Sequence, residues 1–337
     1  MNTKAEILDV LDGHFKGQLP PPVIFTQTGT VGMMDACGVH WPEANYDPEK
    51  MVTLSLQPHE LFGLATARVP YDVVVQAEAV GCYVEEGTVN RQPAVSGSPW
   101  RTEERETPPF PEDLPSPDEM LAHPHIRTII EAADTLNSRG DLFVTSMCIA
   151  GGGMAMHMLG FENMLMGMMF DPDGVFKWIH NMCRYSAEYA GELSKVSDNV
   201  CVITDVMSNI MSPEVSKRMA QEDRVVVQAI KDSFSMVHNC GDTLSNVDDI
   251  VAMGSDIISL EMSSKPTDYM MRIRGRCKVL GAVNPVLTML ESGPEDVLRE
   301  AKRSARLGVD FVGPECGLPP MTPNENVAVL SRYREVI

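Results

Sequence analysis

The sequence predicts an α/β fold, a (β/α)8 or TIM barrel, and two observations carry this prediction. Eight short apolar, β-branched runs are spread along the chain, and most are separated by stretches with helical periodicity. Strands that alternate with helices form βαβ units around a parallel sheet. Eight such units in 337 residues favour a closed barrel that forms a single domain over residues 1–337. A doubly wound sheet is the alternative, although no GxGxxG follows a first strand.

The predicted strands are residues 23–26, 73–76, 142–145, 200–204, 234–237, 257–260, 279–282 and 309–312. The clearest predicted helices are residues 176–196, 213–232, 266–276, 294–307 and 323–336. Several of these helices begin at or just after a proline, which is a favourable first-turn residue. An amphipathic N-terminal helical extension precedes the first strand. An insertion at residues 85–118, rich in Pro, Gly and charge, follows the second strand and is predicted to be a hairpin or a flap.

Composition excludes several functional classes. The formal net charge is −20, and such an acidic surface repels nucleic acid. No apolar run approaches the roughly 18 residues of a transmembrane helix, so we expect no membrane insertion. Eight cysteines are scattered along the chain without an N-terminal export signal, which favours reduced thiols and a cytoplasmic location.

The strongest local motif is a histidine and a cysteine two residues apart after the fifth predicted strand. His238 and Cys240 point the same way on an extended segment, and Cys316 follows the eighth strand. In a barrel these groups gather at the carboxyl ends of the strands. Zinc favours such mixed ligation, with Glu261 after the sixth strand as a possible fourth ligand. The alternative is a buried cysteine pair beside a hydrogen-bonded histidine.

Other polar groups also follow predicted strands and are candidates for the same site. Gln27 and Thr30 follow the first strand and are predicted to contact substrate. Asp205 either orients a ligand imidazole, binds substrate or caps the next helix. Asn284 either binds substrate or belongs to the turn before Pro285.

The third strand is followed by three glycines and a methionine-rich stretch. Gly152 and Met154 are predicted to contact a cofactor, because glycine permits close backbone approach and methionines form an adaptable apolar wall. The alternatives are a turn before a buried helix and flexible filling of the core.

Pieces of the sequence resemble one known family nearly from end to end. They are PPVIFTQTGTVGMM, HWPEANYDPEKM, DVMSNIMSPE, HNCGDT, GAVNPV and GPECGLPPMTPNENV. The chain is similar to the uroporphyrinogen decarboxylase superfamily and, within it, to the zinc-dependent methylcobamide:coenzyme M methyltransferases. The specific pieces are HNCGDT and PECG, since they carry the His-x-Cys…Cys metal motif of that branch.

The resemblance implies a zinc enzyme that transfers a methyl group from a methylcorrinoid to a zinc-bound thiol such as coenzyme M. It also implies that Asp205 and Asp242 orient the metal ligands. The corrinoid is expected on a partner protein, because the chain lacks an Asp-x-His-x-x-Gly cobalt-ligand motif. Its nearest string, AMHMLG, has Ala155 where the aspartate is needed.

Three alternatives stay open from the sequence. In the first, a methyl ether or methylamine donates its methyl group to the corrinoid, with tetrahydrofolate as a possible final acceptor. In the second, the chain is a non-catalytic corrinoid- or metal-binding partner. In the third, it is a uroporphyrinogen decarboxylase, but residues 23–34 hold no Arg or Lys to grip porphyrin carboxylates.

Overall fold

A curled parallel sheet forms the centre of the molecule in the computed structural model, which describes residues 2–102, 107–204 and 212–335. Seven strands are hydrogen-bonded in the order β1-β4-β5-β6-β7-β8-β9, and β2 pairs with β3 in a separate antiparallel hairpin. In chain order the strands are β1 Thr66–Val69, β2 Tyr83–Glu85, β3 Ala94–Gly97, β4 Phe143–Ile149, β5 Asn199–Ile203, β6 Phe234–Asn239, β7 Ile257–Leu260, β8 Lys278–Val283 and β9 Phe311–Pro314.

Helices surround the sheet and cover its outer face. They are α1 Lys4–Leu11, α2 Val31–Cys37, α3 Glu43–Tyr46, α4 Pro48–Ser55, α5 Gln57–Phe62, α6 Val75–Ala79, α7 Pro117–Leu121, α8 Pro124–Asn137, α9 Gly151–Leu159, α10 Phe161–Phe170, α11 Pro172–Ser194, α12 Pro213–Ala229, α13 Val247–Val251, α14 Pro266–Ile273, α15 Pro294–Leu307 and α16 Asn324–Ser331. Eight of the described helices have a proline in the first turn, which fits its fixed φ and missing N–H. None of the described helices is long and apolar enough to cross a membrane.

The two edges of the sheet approach each other through the extended segment that precedes α2. Pro22 forms a parallel bridge with Val312 of β9, and the Val23 N–H donates to the Val312 carbonyl at 2.9 Å. The Phe25 ring lies 5.2 Å from Phe143, next to the other edge, and 5.2 Å from Phe311 of β9. A flat sheet would keep Phe143 and Phe311 far apart, so the sheet is strongly curled around this aromatic cluster.

Six predicted strands coincide with β4 to β9, and the predicted helix at residues 294–307 matches α15. The strand predicted at residues 73–76 is wrong. Its β-branched run continues into α6 because Asp72 begins a turn, with its Oδ1 accepting from the Val74 N–H at 2.9 Å. The strand at this place in the fold is β1, and all four of its residues are buried. The apolar pattern did not predict it because the charged residue Arg68 interrupts the run.

Aspartates stabilise the amino ends of alternate strands. Asp198, Asp256 and Asp310 each precede a strand and accept a hydrogen bond from a backbone N–H at the start of the preceding strand, at 2.8–2.9 Å. Asp198 also pairs with Lys4 of α1 at 2.7 Å, which fastens the N-terminal helix to this end of the sheet. The amino end of the sheet is thus organised for stability, and the opposite end is left for the site.

The predicted insertion at residues 85–118 contains most of the antiparallel hairpin. Its turn is closed by reciprocal backbone hydrogen bonds between Thr88 and Arg91, at 2.7 and 3.1 Å. The Gln92 side chain donates to the Tyr71 carbonyl at 3.0 Å, which attaches the hairpin to the loop after β1. The hairpin therefore lies over the carboxyl end of the sheet, and its action as a flap stays a prediction.

Candidate metal centre and substrate cavity

Three potential metal ligands meet at the carboxyl end of the sheet. The His238 Nε2 lies 3.2 Å from the Cys240 Sγ, which lies 3.3 Å from the Cys316 Sγ. The ligand atoms of the three residues all lie within 4.8 Å of one another, and among the described residues this is the group of His, Cys, Asp or Glu that could hold a metal ion. Residues predicted from separate parts of the sequence are therefore brought together.

The strands explain this meeting. His238 belongs to the end of β6 and Cys240 follows two residues later, so both side chains point to one side. Cys316 follows β9, which is separated from β6 by β7 and β8. The curl of the sheet brings these ends together across the top of the core.

The Cys316 thiol is unusually acidic. The hydrogen bond from Cys240 lowers the pKa of the Cys316 thiol well below its usual range, and the nearby His238 ring adds to this effect. Burial opposes the shift but does not reverse it. Since the thiolate is the form that ligates metals, the group is prepared to hold a cation.

Ser259 of β7 fixes the orientation of the histidine ring. Its Oγ lies 3.0 Å from His238 Nδ1 and 3.3 Å from the Glu315 carbonyl oxygen. A carbonyl only accepts, so the serine hydroxyl donates to Glu315 and accepts from a protonated Nδ1. The Nε2 lone pair of His238 then faces the two cysteines, as metal ligation requires.

A cavity of about 270 Å³ adjoins the three ligands. It is lined also by Gln27, Arg68 and Gln92, and no Asp or Glu lines it in the described part of the chain. This is notable in a chain with 47 acidic residues and a net charge of −20. The cavity is therefore suited to a small molecule that carries negative charge.

Arg68 supplies the positive charge in this cavity. Its side chain is 3% exposed, and burial lowers the pKa of its guanidinium to about 10, so it stays a cation near neutral pH. One of its terminal nitrogens donates to the Pro70 carbonyl, but the Nε has no hydrogen-bond partner within the described residues. A buried guanidinium with such a donor favours an anionic ligand, because a buried donor without a hydrogen-bond partner is unfavourable.

Residues 2–335 match the sequence pattern of the family described as Uroporphyrinogen decarboxylase (URO-D). The chain belongs to this family. The methylcobamide:CoM methyltransferase MtaA of Methanosarcina barkeri is 29% identical, over 98% of this chain and 97% of the relative. MtbA of Methanosarcina acetivorans, with the same enzyme name, is 27% identical, over 91% and 90% of the two chains.

Two further comparisons agree with these relatives. A methylated-thiol–coenzyme M methyltransferase of Methanosarcina mazei is 25% identical, over 98% of this chain and 88% of the relative. A solved structure of a methyltransferase from Methanosarcina mazei superposes with a TM-score of 0.88 at 27% identity, and covers 99% of each chain. The chain is accordingly a methyltransferase.

Gln27 lies where substrate contact was predicted. It lines the cavity, and its Nε2 has no hydrogen-bond partner within the described residues. Thr30 does not line the cavity but caps α2, where its Oγ1 accepts from the Met33 N–H at 3.3 Å. Asn284 takes the turn role, because its Oδ1 accepts from the N–H groups of Val286 and Leu287 at 3.0 and 2.8 Å.

The remaining predicted metal-site residues take other places. Glu261 follows β7 but is outside the group of three ligands, and its role as a fourth ligand stays a prediction. Asp242 pairs with Lys265 at 2.6 Å near the surface, and this pairing lowers the pKa of its carboxyl. Ser259 rather than Asp242 contacts His238 Nδ1. Asp205 lies outside the described residues.

The predicted cofactor contacts are buried. The Met154 side chain is 0% exposed in α9, so a direct contact with a docked corrinoid does not fit this placement. Gly152 is buried as well, and its N–H donates to Asp223 of α12 at 3.3 Å. The core interpretation of this stretch holds for α9, whereas Met169 of α10 is 68% exposed.

Proposed function

We propose that this chain is a zinc-dependent methyltransferase that moves a methyl group from a methylcorrinoid to a small anionic thiol such as coenzyme M. The observation that carries the proposal is one cavity with His238, Cys240 and Cys316 on its wall and the buried cation Arg68 beside them. The relatives named for methylcobamide and coenzyme M support the same chemistry.

The donor set fits zinc. Two thiols and one imidazole, largely shielded from solvent, are the soft and borderline ligands that this metal prefers. Three protein ligands leave one position for a substrate, as in catalytic rather than structural zinc sites. When bound, zinc would act as a Lewis acid that keeps a thiol deprotonated near neutral pH.

The other cavity residues would bind and orient the thiol substrate. Coenzyme M carries a sulfonate two carbons from its thiol, and Arg68 offers the charge and the donor that a sulfonate needs. The Gln27 amide adds a second N–H donor that has no partner among the residues the structure describes. Gln92 on the hairpin lines the cavity and would limit access of water to the site.

The corrinoid would be presented at the rim by a partner protein. A cavity of about 270 Å³ holds a small thiol but not a corrin macrocycle with its side chains. Leu287 and Met321, on the loops after β8 and β9, are 63% and 58% exposed. The loop after β9 leads into α16, whose Asn326 side chain donates to the Met289 and Ser292 carbonyls of the segment after β8 at 2.9 and 2.8 Å. This apolar rim is our candidate contact for the corrinoid.

The fold proposed with this function is a closed (β/α)8 barrel. The segment at residues 23–26 would be its first strand, between β9 and β1, with the hairpin as an insertion after the second strand. The bridge from Pro22 to Val312 and the packing of Phe25 support this closure.

The methyl-donor alternative is less well supported by the cavity. A methyl ether gains nothing from the buried charge of Arg68, and a methylammonium ion would be repelled by it. Decarboxylation of a porphyrin fits worse, because about 270 Å³ and the one arginine among the described residues that line the cavity are too little for an eight-carboxylate macrocycle.

The test compares two cysteine variants. Cys316→Ala should lose zinc and the thiol-dependent demethylation of methylcobalamin, which is followed by absorbance. Cys277→Ala is the matched control, because this half-buried cysteine precedes β8 away from the cavity, and it should keep both properties. Demethylation by Cys316→Ala at the wild-type rate would overturn the proposal.

A further inference from the structure

Glu315 is a buried carboxylate held by several donors. It is 1% exposed and immediately precedes Cys316. Its carboxylate accepts hydrogen bonds from the N–H groups of Met262 and Ser263 at 2.9 and 2.7 Å, and also from the Ser263 hydroxyl. The Asn284 amide donates to it at 3.3 Å. These donors offset only part of the unfavourable burial of the charge, because burial still raises the pKa of the Glu315 carboxyl to about 7.

The donors come from different strand ends. Met262 and Ser263 follow β7, and Asn284 follows β8, whereas Glu315 itself follows β9. One carboxylate therefore joins the carboxyl ends of three neighbouring strands, next to a proposed metal ligand.

Ser259 extends this network to β6. Its Oγ lies between His238 Nδ1, at 3.0 Å, and the Glu315 carbonyl, at 3.3 Å. A continuous series of hydrogen bonds thus links His238 to the residue that precedes Cys316. The series connects β6, which carries His238 and is followed by Cys240, with the segment after β9 that carries Cys316.

We propose that Glu315 and Ser259 are positioning residues that hold Cys316 against the His238–Cys240 pair, so that the three donors converge on one metal ion. This inference rests on the proposed function, because it assumes that the site binds zinc. Neither residue needs to touch the substrate. A second-sphere change of this kind typically alters metal affinity by about 10- to 100-fold.

Two substitutions separate this role from general stability. In Glu315→Gln, an NH2 group replaces one carboxylate oxygen and meets either the backbone N–H donors or the Asn284 amide, so the network loses at least one hydrogen bond. Ser259→Ala removes the hydroxyl and little else. Asp223→Asn is the matched control, since Asp223 is a 2% exposed carboxylate that accepts from the Gly152 N–H and lies outside the cavity.

The measurements are zinc affinity by competition with a chelator and the visible spectrum of the Co²⁺-substituted protein. We expect Glu315→Gln and Ser259→Ala each to bind zinc about 10- to 100-fold more weakly and to shift the cobalt bands, with less than additive effects when combined. Asp223→Asn should change neither property, even where it changes the free energy of unfolding.

Two outcomes distinguish the claims. Wild-type zinc affinity and an unshifted cobalt spectrum in both Glu315→Gln and Ser259→Ala would overturn the positioning role while leaving the proposed function intact. A wild-type protein that binds neither metal would overturn the proposed function itself. If Glu315→Gln does not fold, Ser259→Ala alone decides the positioning role.

Discussion

Replacing Arg68 by methionine should selectively impair the use of an anionic thiol. The change keeps the apolar stem and removes the charge and the donors of a residue that lines the cavity. A hydrogen bond to a charged group contributes about 1.5–3 kcal/mol. Since about 1.4 kcal/mol corresponds to a factor of ten, the KM for coenzyme M should rise roughly 10- to 150-fold. We expect kcat to change little, because the sulfonate contact is the same in the ground and transition states.

The assay follows demethylation of methylcobalamin with two thiols. Coenzyme M has a sulfonate, and 2-mercaptoethanol has a neutral hydroxyl in its place, so the KM for 2-mercaptoethanol should be nearly unchanged in Arg68→Met. Arg68→Lys keeps the charge and should fall between the wild type and Arg68→Met for coenzyme M. Replacing a buried charge by an apolar side chain is often neutral or stabilising, so thermal denaturation should exclude unfolding as the cause.

An equal rise in the KM for both thiols in Arg68→Met would refute the claim that Arg68 binds the sulfonate. That result would mean that Arg68 shapes the cavity rather than binding an anion. An unchanged KM for both thiols would equally remove Arg68 from the binding site.

Two further predictions concern the rim and the core. Leu287→Ser should raise the KM for methylcobalamin roughly fivefold, by loss of about 1 kcal/mol of apolar contact, and leave the KM for the thiol unchanged. Met271→Ser is the control, because Met271 is 73% exposed on α14. An equal rise in the KM for methylcobalamin in Met271→Ser would refute the rim contact. Burial raises the pKa of Asp223 from 3.8 to about 6, so its ionisation opposes folding. The free energy of unfolding of the wild type, relative to that of Asp223→Asn, should therefore fall by about 3 kcal/mol as the pH rises from about 4 to about 6. Denaturant titration of both proteins measures this difference, and a difference that is independent of pH would contradict the prediction.

The meeting of His238, Cys240 and Cys316 was predictable from sequence because strand geometry determines where these side chains point. His238 and Cys240 are two residues apart on an extended segment, so they share a face, and Cys316 follows a strand that ends at the same edge of the sheet. These relations need only the period of a strand and the direction of a parallel sheet, and both are visible in the apolar pattern.

Residues that act through tertiary packing were not predictable in this way. Arg68 interrupts the apolar pattern of β1, and a charged residue within a short run is normally taken for a surface position. Ser259 and Glu315 matter because of which atoms they face across neighbouring strands, and no local spacing encodes that. The sequence feature that could have identified both residues is their position beside predicted metal ligands, since Ser259 precedes Glu261 by two residues and Glu315 adjoins Cys316.

Short polar motifs after strands were predicted to bind substrate more often than the structure supports. Thr30 and Asn284 lie near the carboxyl end of the sheet, but both use their side chains to satisfy local backbone groups. Threonine and asparagine have this local use at any helix start or turn. Sequence position alone therefore could not separate them from Gln27, which lines the cavity.

The central claim is that His238, Cys240 and Cys316 hold zinc, and metal analysis of the purified wild-type chain tests it most directly. We expect about one zinc ion per chain. A chelator should remove this zinc and abolish the thiol-dependent demethylation of methylcobalamin, and added zinc should restore both. A chain that carries no zinc, and that demethylates methylcobalamin equally well in the presence of the chelator, would contradict it.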